Sequence, residues 1–115
     1  MVRKLFDLIQ SSGTNVYLPA KKTGKCTEPY AVVKEEKTEL NATGKSAVVY
    51  FTVSIIVPLE NYALLSDMES RIKSHLKDSS FKFKGSANRE SDGDTDAYIR
   101  DLSYTAVKRV SGCVI

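Results

Sequence analysis

Residues 45–76 read KSAVVYFTVSIIVPLENYALLSDMESRIKSHL, and their reading decides the fold. Between positions 47 and 57 every odd residue is apolar: Ala47, Val49, Phe51, Val53, Ile55 and Val57. The even positions, Val48, Tyr50, Thr52, Ser54 and Ile56, are mixed. A period of two carried by β-branched and aromatic residues predicts a strand with its apolar face inward. The other face is expected to be covered in part, as in a central strand. The run exceeds the usual strand of about five or six residues, so it is expected to bend or to reach past the body of the sheet. Pro58 has no N–H to give and ends the ladder. Beyond it Leu65, Met68, Ile72 and Leu76 recur at three- and four-residue steps, with Leu59 and Tyr62 extending the stripe upstream. That spacing predicts an amphipathic helix over residues 60–77, with Ser66 and Asp67 as caps for an alternative, later start. Its stripe laid across the strand gives a two-layer core.

Working outward, Val2, Leu5, Phe6 and Ile9 predict a first helix over residues 2–11, stopped at Ser11-Ser12-Gly13. Val16, Tyr17 and Leu18 form a short strand ended by Pro19. Residues 20–28, AKKTGKCTE, are a lysine-rich loop, and Pro29 opens a strand over residues 30–36. Residues 37–45 read as a polar connection with Asn41 and Gly44 as turn residues. The hairpin it closes is a candidate for an arm projecting from the core. Phe81 and Phe83 alternate with Lys82 and Lys84 in a short strand, and residues 86–96, SANRESDGDTD, read as a loop. The last strand spans residues 97–110, with Tyr98, Leu102, Tyr104 and Ala106 on one face and Ile99, Thr105 and Val107 on the other. The expected class is α+β: a mostly antiparallel sheet of four to five strands with two helices on one face.

The 115 residues make one domain, 1–115, large enough for a core of its own. A net charge of +3 does not by itself point to nucleic acid. No run of about 18 apolar residues occurs, which argues against a membrane helix, and the N-terminus reads as an amphipathic helix rather than a signal peptide. Cys26 and Cys113 are too few for a disulfide framework, which fits a reducing compartment. The Asn41-Ala42-Thr43 sequon carries little weight without a secretory signal.

Catalytic and cofactor signatures are missing. Asp92, Asp94 and Asp96 have the spacing of the first half of a calcium loop, but Ala97 stands where the loop glycine belongs and Ser103 where the bidentate glutamate belongs. An acidic surface loop is the expected reading. His75 is the single histidine and reads as a boundary residue of the helix, with no nucleophile in a matching context. There is no C-x-x-C, no phosphate loop and no dinucleotide glycine motif. The sequence therefore points to no enzyme, no metal and no cofactor. Tyr30, Tyr50, Tyr98 and Tyr104 raise one alternative, a small monomeric nucleic-acid-binding module with bases stacked on the sheet. The RNA-recognition signature is absent, however.

The order of elements resembles the phage tail-terminator (tail-completion) family, whose members join tails to heads in long-tailed phages and phage-tail-like particles. The resemblance rests on a short N-terminal helix, VYLP, PYAVV after a loop, the hairpin, VVYFTVSIIVP running straight into the helix, and an acidic loop before DAYIRDLSYTAV. It spans nearly the whole chain, rests on order rather than on one motif, and finds no counterpart for the loop at residues 20–28. It implies a homohexameric ring that caps the tail tube, ends tube polymerisation and offers a surface to the head connector or sheath. The expected partners are other copies of the chain, the tube protein and the connector or sheath protein, with no membrane and no specific nucleic acid. The expected location is the virion, assembled in the bacterial host cytoplasm. The candidate contact residues are Lys21, Lys22 and Lys25 in the basic loop, Glu39 and Asn41 at the hairpin, and Arg89, Asp92, Asp94 and Asp96 before the last strand. None of these is carried over from a family motif.

Overall fold

A computed structural model describes residues 2–19, 26–42, 44–90 and 97–109. The chain is α+β, with element order α1 (Val2–Ser11), β1 (Val16–Tyr17), β2 (Tyr30–Leu40), β3 (Ser46–Pro58), a 3₁₀ turn (Leu59–Asn61), α2 (Leu64–Leu76), β4 (Lys82–Glu90) and β5 (Ala97–Arg109). The five strands form one sheet in the order β1-β2-β3-β5-β4. Only the short β1–β2 pair is parallel.

The odd residues of β3 face the helices as their periodicity requires. Val49, Phe51, Val53, Ile55 and Val57 pack with Leu5 and Ile9 of α1, with Leu65, Met68, Ile72 and Leu76 of α2, and with Leu102, Tyr104 and Ala106 of β5. Phe81 closes one end of this core, edge-on to Phe51 at 5.5 Å between ring centroids. The register Phe51↔Tyr104 and Val53↔Leu102 confirms the two faces expected for β5. On the opposite face, among the described residues, the Pro58 end of the sheet is covered by a smaller cluster of Cys26, Tyr30, Ile56, Ala97 and Ile99, with Tyr17 and Val32 against it. This explains why β3 alternates at its start but is buried on both faces from Val53 to Pro58.

Three expectations are corrected. The helix after Pro58 is broken: Leu59–Asn61 form a 3₁₀ turn and the α-helix begins at Leu64, capped by no side chain. Leu59 and Tyr62 consequently stay exposed rather than extending the core stripe, and the Tyr62 ring stands edge-on to Tyr98 at 4.7 Å. Strand β2 continues through Leu40, so residues 37–40 are strand and not connection. Strand β4 likewise continues through Glu90, so residues 86–90 are strand and not loop. Both extensions lie on edges, where solvent on one side or both removes the apolar alternation that marks an inner strand.

The molecule is elongated, 52 × 27 × 21 Å. Its long axis comes from β2, β3 and β5 running beyond β4, whose first residue Lys82 is level with Thr105, while β3 and β5 pair onward to Ser46↔Arg109.

Candidate assembly interface

The expected arm exists, and it is three-stranded: the hairpin of β2 and β3 is backed by the end of β5. At its tip Asn41 N donates to Ser46 O at 3.0 Å, Gly44 N donates to Asn41 O at 3.0 Å, and the Asn41 side-chain amide donates to Ser46 Oγ. Gly44 takes φ 70°, a left-handed turn position where glycine avoids the Cβ clash. Glu39 lies on the face turned away from the helices, paired with Val48. The Tyr50 hydroxyl donates to its carboxylate and Lys37 stands 3.3 Å away, which together hold the Glu39 carboxyl below the usual range; the same bond pushes the Tyr50 phenol up. The Lys37 ammonium also lies over the Tyr50 ring at 4.8 Å. The arm carries two large apolar side chains in the open, Leu40 at 64% exposure and Val107 at 65%.

Arg89 lies on β4, on the helix-free face. Its Nε donates to Asp101 Oδ2 at 2.7 Å, and Ser54 Oγ donates to Asp101 Oδ1 at 2.6 Å. These groups floor a shallow groove across the sheet, about 510 Å³, lined also by Val32, Lys34, Glu36, Thr52 and Ile56. The carboxylate accepts two charge-assisted or hydroxyl bonds, so the groove presents fixed dipoles and not a free acid. On the other face a cleft of about 370 Å³ opens between the end of α2 and the start of β4. Lys73, Lys77 and Lys82 rim it, over Leu76, Phe81, Phe83 and Tyr104. The Lys73 ammonium sits 4.3 Å above the Phe83 ring.

The structure thus places Glu39 and Asn41 together on the arm and Arg89 apart from them, on the opposite edge of the sheet. Lys21, Lys22, Lys25, Asp92, Asp94 and Asp96 lie outside the described residues, as does Cys113. His75 is exposed. Cys26 is buried, with its thiol donating to Glu28 O at 3.3 Å. The four sheet tyrosines do not make one platform: Tyr30 and Tyr50 pair with residues of the helix-free face, while Tyr98 and Tyr104 lie on the helix side. Among the described residues no three acidic, histidine or cysteine side chains gather where they could hold a metal, and no helix is long and apolar enough to cross a membrane.

Sequence reasoning missed the apolar arm residues Leu40 and Val107 and the open edges of the sheet. Beyond Val32 the outer side of β2 has no strand beside it among the described residues, because β1 pairs only with Ala31 and Val32. Among the described residues strand β4 is paired on one side only, with β5. The alternation Phe81-Lys82-Phe83-Lys84 was the available signal, since lysine is common on edge strands.

No protein-family model and no curated protein matches the sequence. The fold does match a solved structure, a chain from the virion of a native gene transfer agent particle, with TM-score 0.66 at 20% identity over 92% of this chain and 90% of that one. The likeness covers most of both chains, and it shows a shared fold.

Proposed function

We propose that this protein is a structural component of a phage tail or phage-tail-like particle, a ring-forming tail terminator that ends tube growth and presents a joining surface to the head connector or sheath. The observation that carries the reading is the three-stranded arm, which holds Leu40 and Val107 in solvent. Leu40 lies on the helix side of the arm and Val107 on the other face, so the arm offers an apolar side chain to partners on either side. The fold match to a chain of a virion particle supports the same reading, as does the order of elements along the sequence. On this account the chain performs no reaction, works by presenting surfaces, and has as partners its own copies, the tube protein and the connector or sheath.

Imaging the purified protein mixed with tail tubes of its cognate particle tests the proposal. Rings or caps confined to one tube end are expected. Tubes that keep growing with bare ends at saturating protein would overturn the terminator role. The competing reading, a monomeric nucleic-acid module, is disfavoured by the split of the tyrosines between two faces. It requires salt-sensitive binding to RNA or DNA, which the structural reading does not.

A further inference from the structure

We propose that copies of this chain join head to tail by strand pairing, β4 of one copy lying antiparallel to the free stretch of β2, Val33 to Leu40, in the next. The inference rests on the ring reading and says how the ring is closed.

Three features of the sheet carry it. First, the two edges left open among the described residues are on opposite sides of one sheet, so pairing one with the other is heterologous, and repetition about an axis closes it. Second, directions fit. Strands β2 and β3, β3 and β5, and β5 and β4 are each antiparallel, so β2 and β4 run oppositely. Rotation about an axis near the strand direction preserves this, and the contact is antiparallel, the stronger ladder. Third, the faces match. Setting Phe83 opposite Leu40 brings Asn88 opposite Glu35, and each of these residues lies on the helix side of its own sheet. Between these pairs each strand carries one bulge, β2 between Glu35 and Lys37 and β4 between Phe83 and Gly85, so the two faces stay in phase at both ends. Gly85, with φ 155°, supplies the bulge conformation.

That register buries the exposed Leu40 against the part-exposed Phe83 and sets Lys84 level with Glu39. The free stretch of β2 carries Glu35, Glu36 and Glu39 against two lysines, while the start of β4 carries Lys82 and Lys84. Lysines and bulges on an edge deter indiscriminate pairing; an edge of opposite charge removes that deterrent. The stagger required is the kind a closed sheet needs, because strands in a barrel tilt and shift in register. It also keeps β4 clear of β1, which occupies the β2 edge at Ala31 and Val32.

Disulfide trapping tests the contact. In a Cys26→Ala, Cys113→Ala background, the Leu40→Cys, Phe83→Cys double variant is expected to give an oxidised ladder of oligomers ending in a closed ring, with neither single variant giving more than traces. Rings in solution without the ladder would overturn the strand contact and leave the ring standing. No rings and no ladder would overturn both. Dimers from Phe83→Cys alone would show a two-fold β4–β4 contact and overturn the head-to-tail scheme. Charge exchange is the second arm. Lys84→Glu, which sets two carboxylates level across the contact, is expected to weaken assembly several-fold, and Glu39→Lys in the same chain to restore it. Assembly insensitive to the first change, or not restored by the second, counts against the contact.

Discussion

Arg100 of β5 reaches across the sheet surface to Glu69 of α2, Nη1 to Oε1 at 2.9 Å, with only 15% and 16% of the two side chains exposed. The same guanidinium donates from Nε to Asn88 Oδ1 at 2.7 Å and from Nη1 to Ser66 Oγ at 3.3 Å. One residue therefore ties the helix layer, the central strand β5 and the edge strand β4 together. Glu69 also lies 3.8 Å from Lys73, one helical turn on.

Removing that tie is predicted to cost stability. Arg100→Ala leaves Glu69 half-buried with only the more distant Lys73, and a part-buried charge that loses its partner costs about 1–3 kcal/mol. Urea unfolding measures it. A loss no greater than for the exposed Lys77→Ala would show that the pair adds nothing.

Tyr104 makes the opposite prediction. Its hydroxyl is buried with no hydrogen-bond partner among the described residues. Burial first, and the Glu69 charge second, push its pKa up from 10.0 to about 12. Because the folded value is the higher one, this contribution to stability is whole below pH 10 and falls as pH rises from there toward and past 12. Tyr104→Phe is predicted to hold or raise stability by about 1 kcal/mol at neutral pH, since it deletes an unpaired buried polar group. Melting curves of the two proteins should separate further between pH 10 and 12, the wild type falling faster. Parallel curves would refute the assigned burial.

The core prediction concerns Ile72, which is fully buried between α2 and the sheet. Ile72→Ala is predicted to cost about 2–5 kcal/mol, transfer energy plus a cavity. A loss below 1 kcal/mol by chemical denaturation would mean that α2 does not sit on the sheet as described.

The arm should behave differently from the core. Leu40→Asp and Val107→Asp remove apolar groups that solvent already reaches, so each should change monomer stability by less than about 0.5 kcal/mol. Each is nevertheless expected to abolish or sharply weaken self-assembly, read by sedimentation. Unimpaired assembly in both would remove the arm from the interface.

The inner part of this fold was legible because burial imprints a period. Odd-numbered apolar residues from Ala47 to Val57, and Leu65, Met68, Ile72 and Leu76, had to face a core, and they do. The edges were less legible for the same reason. Residues 37–40 and 86–90 are held by backbone pairing to β3 and β5, which leaves no apolar signature, and KTEL and SANRE therefore looked like loop. The break at residues 59–63 was hidden because Leu59 and Tyr62 fit the helical stripe while lying in a turn before it. Of the candidate contact residues, Glu39, Asn41 and Arg89 lie among the described residues, on β2, in the turn after it and on β4. What marks a contact surface, Leu40 and Val107 standing in solvent, is a property of three strands brought together and is not written in any one of them.

Native mass spectrometry of the intact protein tests the central claim most directly. The account predicts a closed species of six copies of the 12.7 kDa chain, without a continuous series of larger sizes. A protein that stays monomeric at every concentration tested, and with tail tubes present, would contradict it.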